Sequence, residues 1–180
     1  MNRCVALLGL SGVGKTTLLK RLLGQVEFTH LEASRLIKAE QARRSIAAQS
    51  SEALRTGPIL DNQALLVAGF KYEARYIDGP IVFDGHSVID GENGLIQIPL
   101  DVFASLELQA ICILQAAPVD ILARRRDDIA RPRPARTADA LAEHQEMAIE
   151  VARAIAEQLN LPFSLLGDKD DAKLAALIRG

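Results

Sequence analysis

The sequence predicts an α/β protein of three layers, with helices on both faces of a central sheet. Five short apolar runs have the length of buried strands, and segments with apolar residues at helical spacing separate them. A glycine-rich turn joins the first run directly to a leucine-bearing helix. The 180 residues are 49% hydrophobic, which is enough for one sizeable core, so we expect residues 1–180 to form a single domain.

The first strand, residues 3–8, leads into the sequence GLSGVGKT of residues 9–16, which fits the phosphate-binding P-loop pattern G-x-x-x-x-G-K-[ST]. Glycines let backbone amides approach an anion, and the following helix directs the positive end of its dipole at it. Lys15 is predicted to bridge the β- and γ-phosphates of ATP, and the Thr16 hydroxyl to bind Mg²⁺. A chance glycine turn that carries a lysine is the alternative, but the flanking strand and helix favour a P-loop. The predicted ATP-binding residues are Gly9, Gly12, Val13, Gly14, Lys15, Thr16 and Thr17.

The next strand candidate covers residues 26–31 and precedes a helix that starts at Ala33, with Ser34 as its N-cap. A second helix is predicted for residues 61–76. The strand 81–84 then ends in Asp84, and ligands of parallel sheets bind beyond the carboxyl ends of the strands. We therefore expect Asp84 to hold Mg²⁺ through water, with capping of the next turn as the alternative.

His86 follows this strand and is predicted either to contact the acceptor or to support the site through a hydrogen bond. Residues 90–94 read as a turn-rich loop, and residues 100–106 as a short helix. Residues 110–115 form the fourth strand candidate, after which Pro118 is suited to open a helix.

Six arginines fall within residues 124–136, where Pro132 and Pro134 prevent a continuous helix. Arginine binds phosphate with two hydrogen bonds and stays charged, so this stretch fits a lid over a transferred phosphoryl group. A solvated basic loop is the alternative. We expect a short arginine lid at about residues 124–137, with some arginines paired to Asp127 and Asp128.

Thr137 is predicted to cap a long helix in which His144 has a structural place, and residues 161–166 and 171–178 complete the chain as strand and helix. The net charge of −2 does not favour nucleic-acid binding. Cys4 and Cys112 lie in strand candidates and indicate buried thiols. No apolar run reaches the length of a membrane span, so we expect a cytoplasmic protein.

Taken together, the P-loop, the strand that ends in Asp84-Gly85-His86-Ser87 and the arginine-rich segment resemble the nucleoside monophosphate kinases, and most closely the archaeal-type adenylate kinases. The resemblance implies a P-loop fold whose five-stranded parallel sheet has the order 2-3-1-4-5, and an acceptor-binding helical region at about residues 33–76. It implies that Lys38 meets the acceptor phosphate. The arginine that bacterial adenylate kinases carry after Asp-Gly has no counterpart here. By position, the arginines that would close on the transferred phosphoryl group are Arg124, Arg131 and Arg133.

The sequence therefore predicts a Mg²⁺-dependent kinase that transfers the γ-phosphoryl group of ATP to a nucleoside monophosphate, with AMP as the leading acceptor. Lys15 and the lid arginines are the predicted catalytic residues, and Lys38 and His86 the predicted acceptor-binding residues. Two alternatives remain open: a kinase of another small molecule or of a polynucleotide end, and an ATP-binding regulatory switch. No membrane partner is expected, and the sequence does not disclose the oligomeric state.

Overall fold

The structure, a computed structural model, describes residues 2–46, 59–91, 94–128 and 133–180. Arg131 lies outside the described residues, so its predicted place in the lid stays a prediction. The predicted helix start near residue 61 is described for its backbone alone.

The central sheet has five parallel strands, as the sequence predicts. Their order is β2-β3-β1-β6-β7, which is 2-3-1-4-5 when the strands of this sheet alone are counted. Strand β1 lies in the middle, with Leu7 opposite Asp84 on one side and opposite Cys112 on the other. The strands are β1 (Cys4–Leu8), β2 (Thr29–Glu32), β3 (Ile81–Asp84), β6 (Ala110–Leu114) and β7 (Phe163–Leu166).

Helices connect these strands and pack on the sheet, which confirms the α/β fold class. Helix α1 contacts the C-terminal helix α7, α2 contacts α3, and α5 contacts α6. The helices are α1 (Lys15–Leu22), α2 (Ala33–Arg43), α3 (Ile59–Ala74), α4 (Leu100–Ala104), α5 (Pro118–Asp127), α6 (Ala138–Gln158) and α7 (Asp171–Arg179).

The core lies around the three inner strands, whose residues are all buried. These strands are continuous apolar runs because helices cover the sheet, so neither face needs polar residues. Cys4 and Cys112 are both buried and free, and burial raises the pKa of each thiol to about 12.

An antiparallel hairpin stands where the sequence indicated a loop. Strands β4 (Val88–Gly91) and β5 (Gly94–Gln97) pair as a separate two-stranded sheet beside α6. Gly91 and Gly94 pair at the end of the hairpin, but neither VIDG in β4 nor GLIQ in β5 alternates apolar with polar residues, so the sequence shows no strand period there. The prediction of a loop from 90 to 94 was therefore wrong for Asp90, Gly91 and Gly94, which are strand residues.

Two boundaries near β2 also differ from the expectation. The strand begins at Thr29 rather than at 26, because its pairing with β3 starts where Thr29 lies opposite Ile81. Glu32 rather than Ser34 is the N-cap of α2, and the Ser34 hydroxyl donates a hydrogen bond to the Glu32 carboxylate at 2.6 Å. Helix α2 therefore begins at Ala33, as predicted, and only its cap differs from the expectation.

None of the helices that the structure describes combines the length and the apolar character needed to cross a membrane.

Candidate active site

The P-loop joins the end of β1 to the start of α1, as its sequence context predicts. Gly12 and Gly14 have φ angles of 87° and 113°, in the left-handed region that favours glycine. A Cβ atom at Gly9 would lie 2.9 Å from the carbonyl oxygen of Leu114, so the loop also packs too closely for a side chain there. The loop therefore holds its backbone amides at the N-terminus of α1, which is an anion-binding arrangement. Val13 is buried beneath the loop, whereas Thr16 and Thr17 are exposed in the first turn of α1.

Lys15 is the first residue of α1, and its side chain folds back over the loop. Its ammonium donates a hydrogen bond to the carbonyl oxygen of Gly9 at 2.8 Å and lies 3.6 Å from the Asp84 carboxylate. Only 8% of the side-chain surface is exposed. The sheet order explains the second contact, because β1 and β3 are neighbours and both run toward this edge.

Asp84 stands at the carboxyl end of β3 among three basic side chains. Burial alone would raise the pKa of its carboxyl, but Lys15, His30 and His86 outweigh burial and hold that pKa below its usual range. The ring of His30, on β2, lies 3.2 Å from the carboxylate. The site therefore keeps Asp84 ionised. His30 was missed from the sequence because the strand order alone does not give the register of β2 on β3, which brings this ring to Asp84.

His86 donates a hydrogen bond from Nδ1 to the carbonyl oxygen of Gly9 at 2.6 Å. The same oxygen accepts from Lys15. This contact corresponds to the supporting role that the sequence left open for His86. The residue also borders the cavity described below.

The residues around the P-loop fit a bound Mg²⁺ ion. The described residues contain no group of three or more His, Cys, Asp or Glu side chains that could hold a metal. A nucleotide-bound Mg²⁺ ion does not need one, because it keeps several waters and takes ligands from phosphates and one or two protein oxygens. The Thr16 hydroxyl and the ionised Asp84 carboxylate can supply such oxygens.

Helix α5 and the residues after it bring two of the predicted arginines to the P-loop. Arg124 donates to the carbonyl oxygen of Val13 at 2.7 Å, and its guanidinium lies against Gly14. Arg133 donates from Nε to the Ser11 hydroxyl at 2.9 Å and pairs with Asp128. Both guanidiniums therefore border the loop that would hold the phosphates.

Two further arginines pair with Asp90, an acidic residue for which the sequence predicted no role in the site. Arg125 and Arg136 both contact Asp90 on the hairpin, at 3.2 and 2.9 Å. The expected pairing of arginines with Asp127 and Asp128 thus holds for Arg133 with Asp128, while Asp90 takes two of the others. The hairpin had to be recognised before Asp90 could be assigned this place.

A cavity of about 570 Å³ extends from the P-loop to helices α2 and α3. This volume is within the range of small-molecule sites. At one end are the loop and the arginines, and at the other are polar side chains of α2 that include Lys38. The apolar wall of the cavity includes Ile37, Leu66, Phe83, Val102 and Phe103.

This fold and site define the class of protein. The parallel sheet of order 2-3-1-4-5, the P-loop with Lys15 beside Asp84, and the arginines at the loop are the architecture of the P-loop nucleotide kinases, which are phosphotransferases. A family model described as "AAA domain" matches residues 8–142, more than half of the chain, and the chain belongs to this family.

Curated relatives cover nearly the whole chain. It is 27% identical to an adenylate kinase of Thermococcus kodakarensis over 173 residues, which cover 94% of this chain and 88% of the relative. It is 28% identical to an adenylate kinase homolog of Methanothermobacter thermautotrophicus over 179 residues, covering 99% and 91%. These similarities agree with the family that the sequence motifs resemble.

The fold also matches kinases of solved structure. Shikimate kinase from Acinetobacter baumannii in complex with shikimate superimposes with a TM-score of 0.57 at 16% identity, covering 99% of this chain and 92% of the other. A gluconokinase from Sinorhizobium meliloti gives a TM-score of 0.50 at 11% identity, covering 98% and 89%. At such identities the likeness establishes the fold alone.

Proposed function

We propose that the protein transfers the γ-phosphoryl group of ATP to a nucleoside monophosphate, and that AMP is the acceptor. The observation that carries the proposal is the single cavity that runs from Lys15 and the P-loop to Lys38 on α2. Both substrates can enter it, with the donor phosphates at one end and the acceptor at the other. The names of the curated relatives, adenylate kinase and adenylate kinase homolog, support AMP.

The donor end binds the triphosphate of ATP. The P-loop amides and the N-terminus of α1 attract the phosphates, and Lys15 exchanges its contact with the Gly9 carbonyl for the β- and γ-phosphates. Thr16 and Asp84 are the residues that would hold Mg²⁺, Asp84 through water, and the ion would neutralise phosphate charge when bound. His30 keeps Asp84 oriented, and His86 fixes the carbonyl at the start of the loop.

The acceptor end binds the monophosphate, whose oxygen is already an anionic nucleophile. The reaction therefore needs alignment and charge stabilisation more than a strong general base. Lys38 holds the acceptor phosphate, and the apolar wall contacts its base and sugar. This assigns about residues 33–76 as the acceptor-binding region.

The arginines stabilise the charge of the transferred group. Arg124 and Arg133 stand at the loop already, and Arg131 belongs to the same segment of the sequence. Residues 124–137 thus act as a short lid that supplies guanidiniums and excludes water.

A coupled assay of ADP formation tests this function. Purified protein with ATP and Mg²⁺ is offered AMP, CMP, UMP and dTMP in turn, with shikimate and gluconate as acceptors without a phosphate. We expect AMP to stimulate turnover most and the two unphosphorylated acceptors to leave it at the background rate. If only shikimate or gluconate stimulated ADP formation, the protein would be a kinase of another small molecule. If ADP formed at the same rate without any acceptor, it would be an ATPase.

A further inference from the structure

The P-loop contacts a partly buried charge cluster whose central carboxylate has no role in the proposed chemistry. Its centre is Asp90, near the end of β4, with 11% of its side-chain surface exposed. Oδ2 of Asp90 lies 3.2 Å from Arg125, while Oδ1 accepts two hydrogen bonds from Arg136 at 2.9 and 3.2 Å. His144 on α6 is the third neighbour, with Nδ1 3.8 Å from Oδ2. The cluster joins the hairpin to α5, to the segment after it and to α6.

Arg125 connects this cluster to the phosphate-binding loop. Its side chain is 7% exposed, and while one terminal nitrogen faces Asp90, Nε donates to the carbonyl oxygen of Ser11 at 2.8 Å. Its stem also lies against Gly12, where an added Cβ would come within 3.0 Å of Cγ. The Arg125 side chain therefore contacts two consecutive residues of the loop, while Asp90 holds the other end of the guanidinium.

We infer that Asp90 is a positioning residue for the P-loop: it holds Arg125 on the carbonyl of Ser11 and thereby sets the conformation of Ser11 and Gly12. A guanidinium presents its donors in a rigid fork, so an anion on one side fixes where the other side points. Arg136 ties the same carboxylate to the segment after α5 and also donates to the Gly91 carbonyl at 3.2 Å. The hairpin is thus the support from which the loop is held.

This inference rests on the proposed function, because it concerns how tightly the loop binds ATP. The inference also predicts whether loss of the Asp90 charge makes the binding of ATP tighter or weaker. Removing the charge of Asp90 leaves the site more positive, and charge alone would then tighten the binding of an anionic nucleotide. A positioning role requires the opposite result, since the loop amides lose their preorganised arrangement.

The test is isothermal titration of ATP·Mg²⁺ into the full chain and its variants. Asp90→Asn keeps the shape of the side chain and removes its charge, and we expect the Kd for ATP to rise about tenfold. Asp90→Glu, which restores the charge, should return the Kd to within about threefold of wild type. Asp120→Asn, an exposed residue on α5, is the matched control and should leave the Kd unchanged.

Arg125→Lys changes the other partner of the Asp90–Arg125 pair. It keeps the inference testable if Asp90→Asn does not fold. It preserves the charge but loses the fork, so the Kd should again rise about tenfold. The Kd of the double variant for ATP should be no higher than that of either single variant, because both substitutions break the same connection. The KM for the acceptor should stay within about twofold in every variant.

Three outcomes overturn the inference. These are an unchanged or tighter Kd in Asp90→Asn, an unchanged Kd in Arg125→Lys, and a double variant whose Kd rises by the product of the two single effects. In each case wild type still binds ATP, and the proposed function stands. If wild type itself shows no affinity for ATP·Mg²⁺, the proposed function fails together with the inference.

Discussion

The carbonyl oxygen of Gly9 accepts hydrogen bonds from two basic side chains, Lys15 and His86. Both side chains also lie beside Asp84, which they help to keep ionised. Residue by residue, the site is therefore a cluster of charges balanced around one carboxylate and one backbone carbonyl. When ATP binds, we expect its phosphates to replace the Gly9 carbonyl as the partner of Lys15. We therefore expect substitution of Lys15 to lower activity more than substitution of its neighbours.

Replacing Lys15 with methionine should lower kcat about 100-fold or more, because one preorganised charge on the transferred phosphoryl group is lost. Steady-state ADP formation at saturating ATP and acceptor measures this. Lys20→Met is the matched control, since Lys20 is exposed on the same helix, and it should retain wild-type kcat within about twofold. Similar losses in the two variants would mean that Lys15 acts through helix α1 rather than on phosphate.

His144 should make the stability of the protein depend on pH. Burial lowers the pKa of its ring below the ordinary value of 6.5, and Arg136 and Arg125 lower it further against the opposing effect of Asp90. Between the lowered pKa and 6.5 the unfolded chain binds a proton that the native protein does not. The free energy of unfolding should therefore fall as the pH decreases from 7 through 6.5 and below.

Urea unfolding of wild type and His144→Gln at a series of pH values measures this effect. The variant lacks the titrating ring, so its free energy of unfolding should change less between pH 7 and 5.5 than that of wild type. Above pH 7.5 the two curves should run parallel, which serves as the internal control. Equal slopes in the lower window would show that the ring of His144 titrates normally.

The residues of the site divide by how far the sequence could predict them. The P-loop is a contiguous pattern, and Asp84 ends a recognisable buried strand, so spacing alone located both. Asp90 and His30 are different, because each lies on a strand whose neighbours are set by tertiary pairing. No local pattern near Asp90 indicates that Arg125 and Arg136 converge on it.

Among the elements, α2 packs on α3, and both helices line the cavity at what we propose is its acceptor end. The two helices approach closely at Gly69, where an added Cβ would lie 2.7 Å from the carbonyl oxygen of Leu36. Nearby, the buried Glu40 carboxylate pairs with Arg43 and Arg44 of its own helix. Burial opposes the charge of Glu40, but these arginines hold the pKa of its carboxyl below the usual range.

Gly69→Ala should destabilise the protein by up to about 2 kcal/mol, since overpacking costs about 1–3 kcal/mol and alanine regains about 1 kcal/mol of helix propensity. Helix α2 carries Lys38, so the KM for the acceptor should rise while the Kd for ATP stays the same. Urea unfolding and steady-state kinetics measure the two effects. Gly167→Ala is the control, because its Cβ would have no neighbour closer than 3.7 Å. Equal free energies of unfolding in Gly69→Ala and Gly167→Ala would contradict the close packing of α2 on α3 at Gly69.

Elements with a continuous or strongly periodic apolar pattern were predictable, and those without such a pattern were not. The long helix α6 and the inner strands follow continuous apolar patterns over their whole length. Strand β2 was placed too early because Val26 and Phe28 are apolar, whereas its pairing begins at Thr29. The hairpin strands have four residues each, and their pairing with each other gives no signal that alternation alone can detect.

For the whole molecule, the parallel sheet places the P-loop, Asp84 and helices α2 and α3 around one cavity. Because β1 lies between β3 and β6, residues that are far apart in the chain meet at the carboxyl ends of the strands. This arrangement supports transfer between two bound substrates more directly than hydrolysis at a single site. The overall architecture could be predicted because the family resemblance supplied the strand order. That resemblance gave no indication of the hairpin.

The most direct measurement follows the phosphoryl group itself. ATP labelled at its γ-phosphate is incubated with the protein, Mg²⁺ and AMP, and the labelled products are separated by chromatography. We expect the label to appear in the β-phosphate of newly formed ADP, at a rate that depends on AMP and is lost in Lys15→Met. Label found in inorganic phosphate alone, at a rate indifferent to AMP, would contradict it.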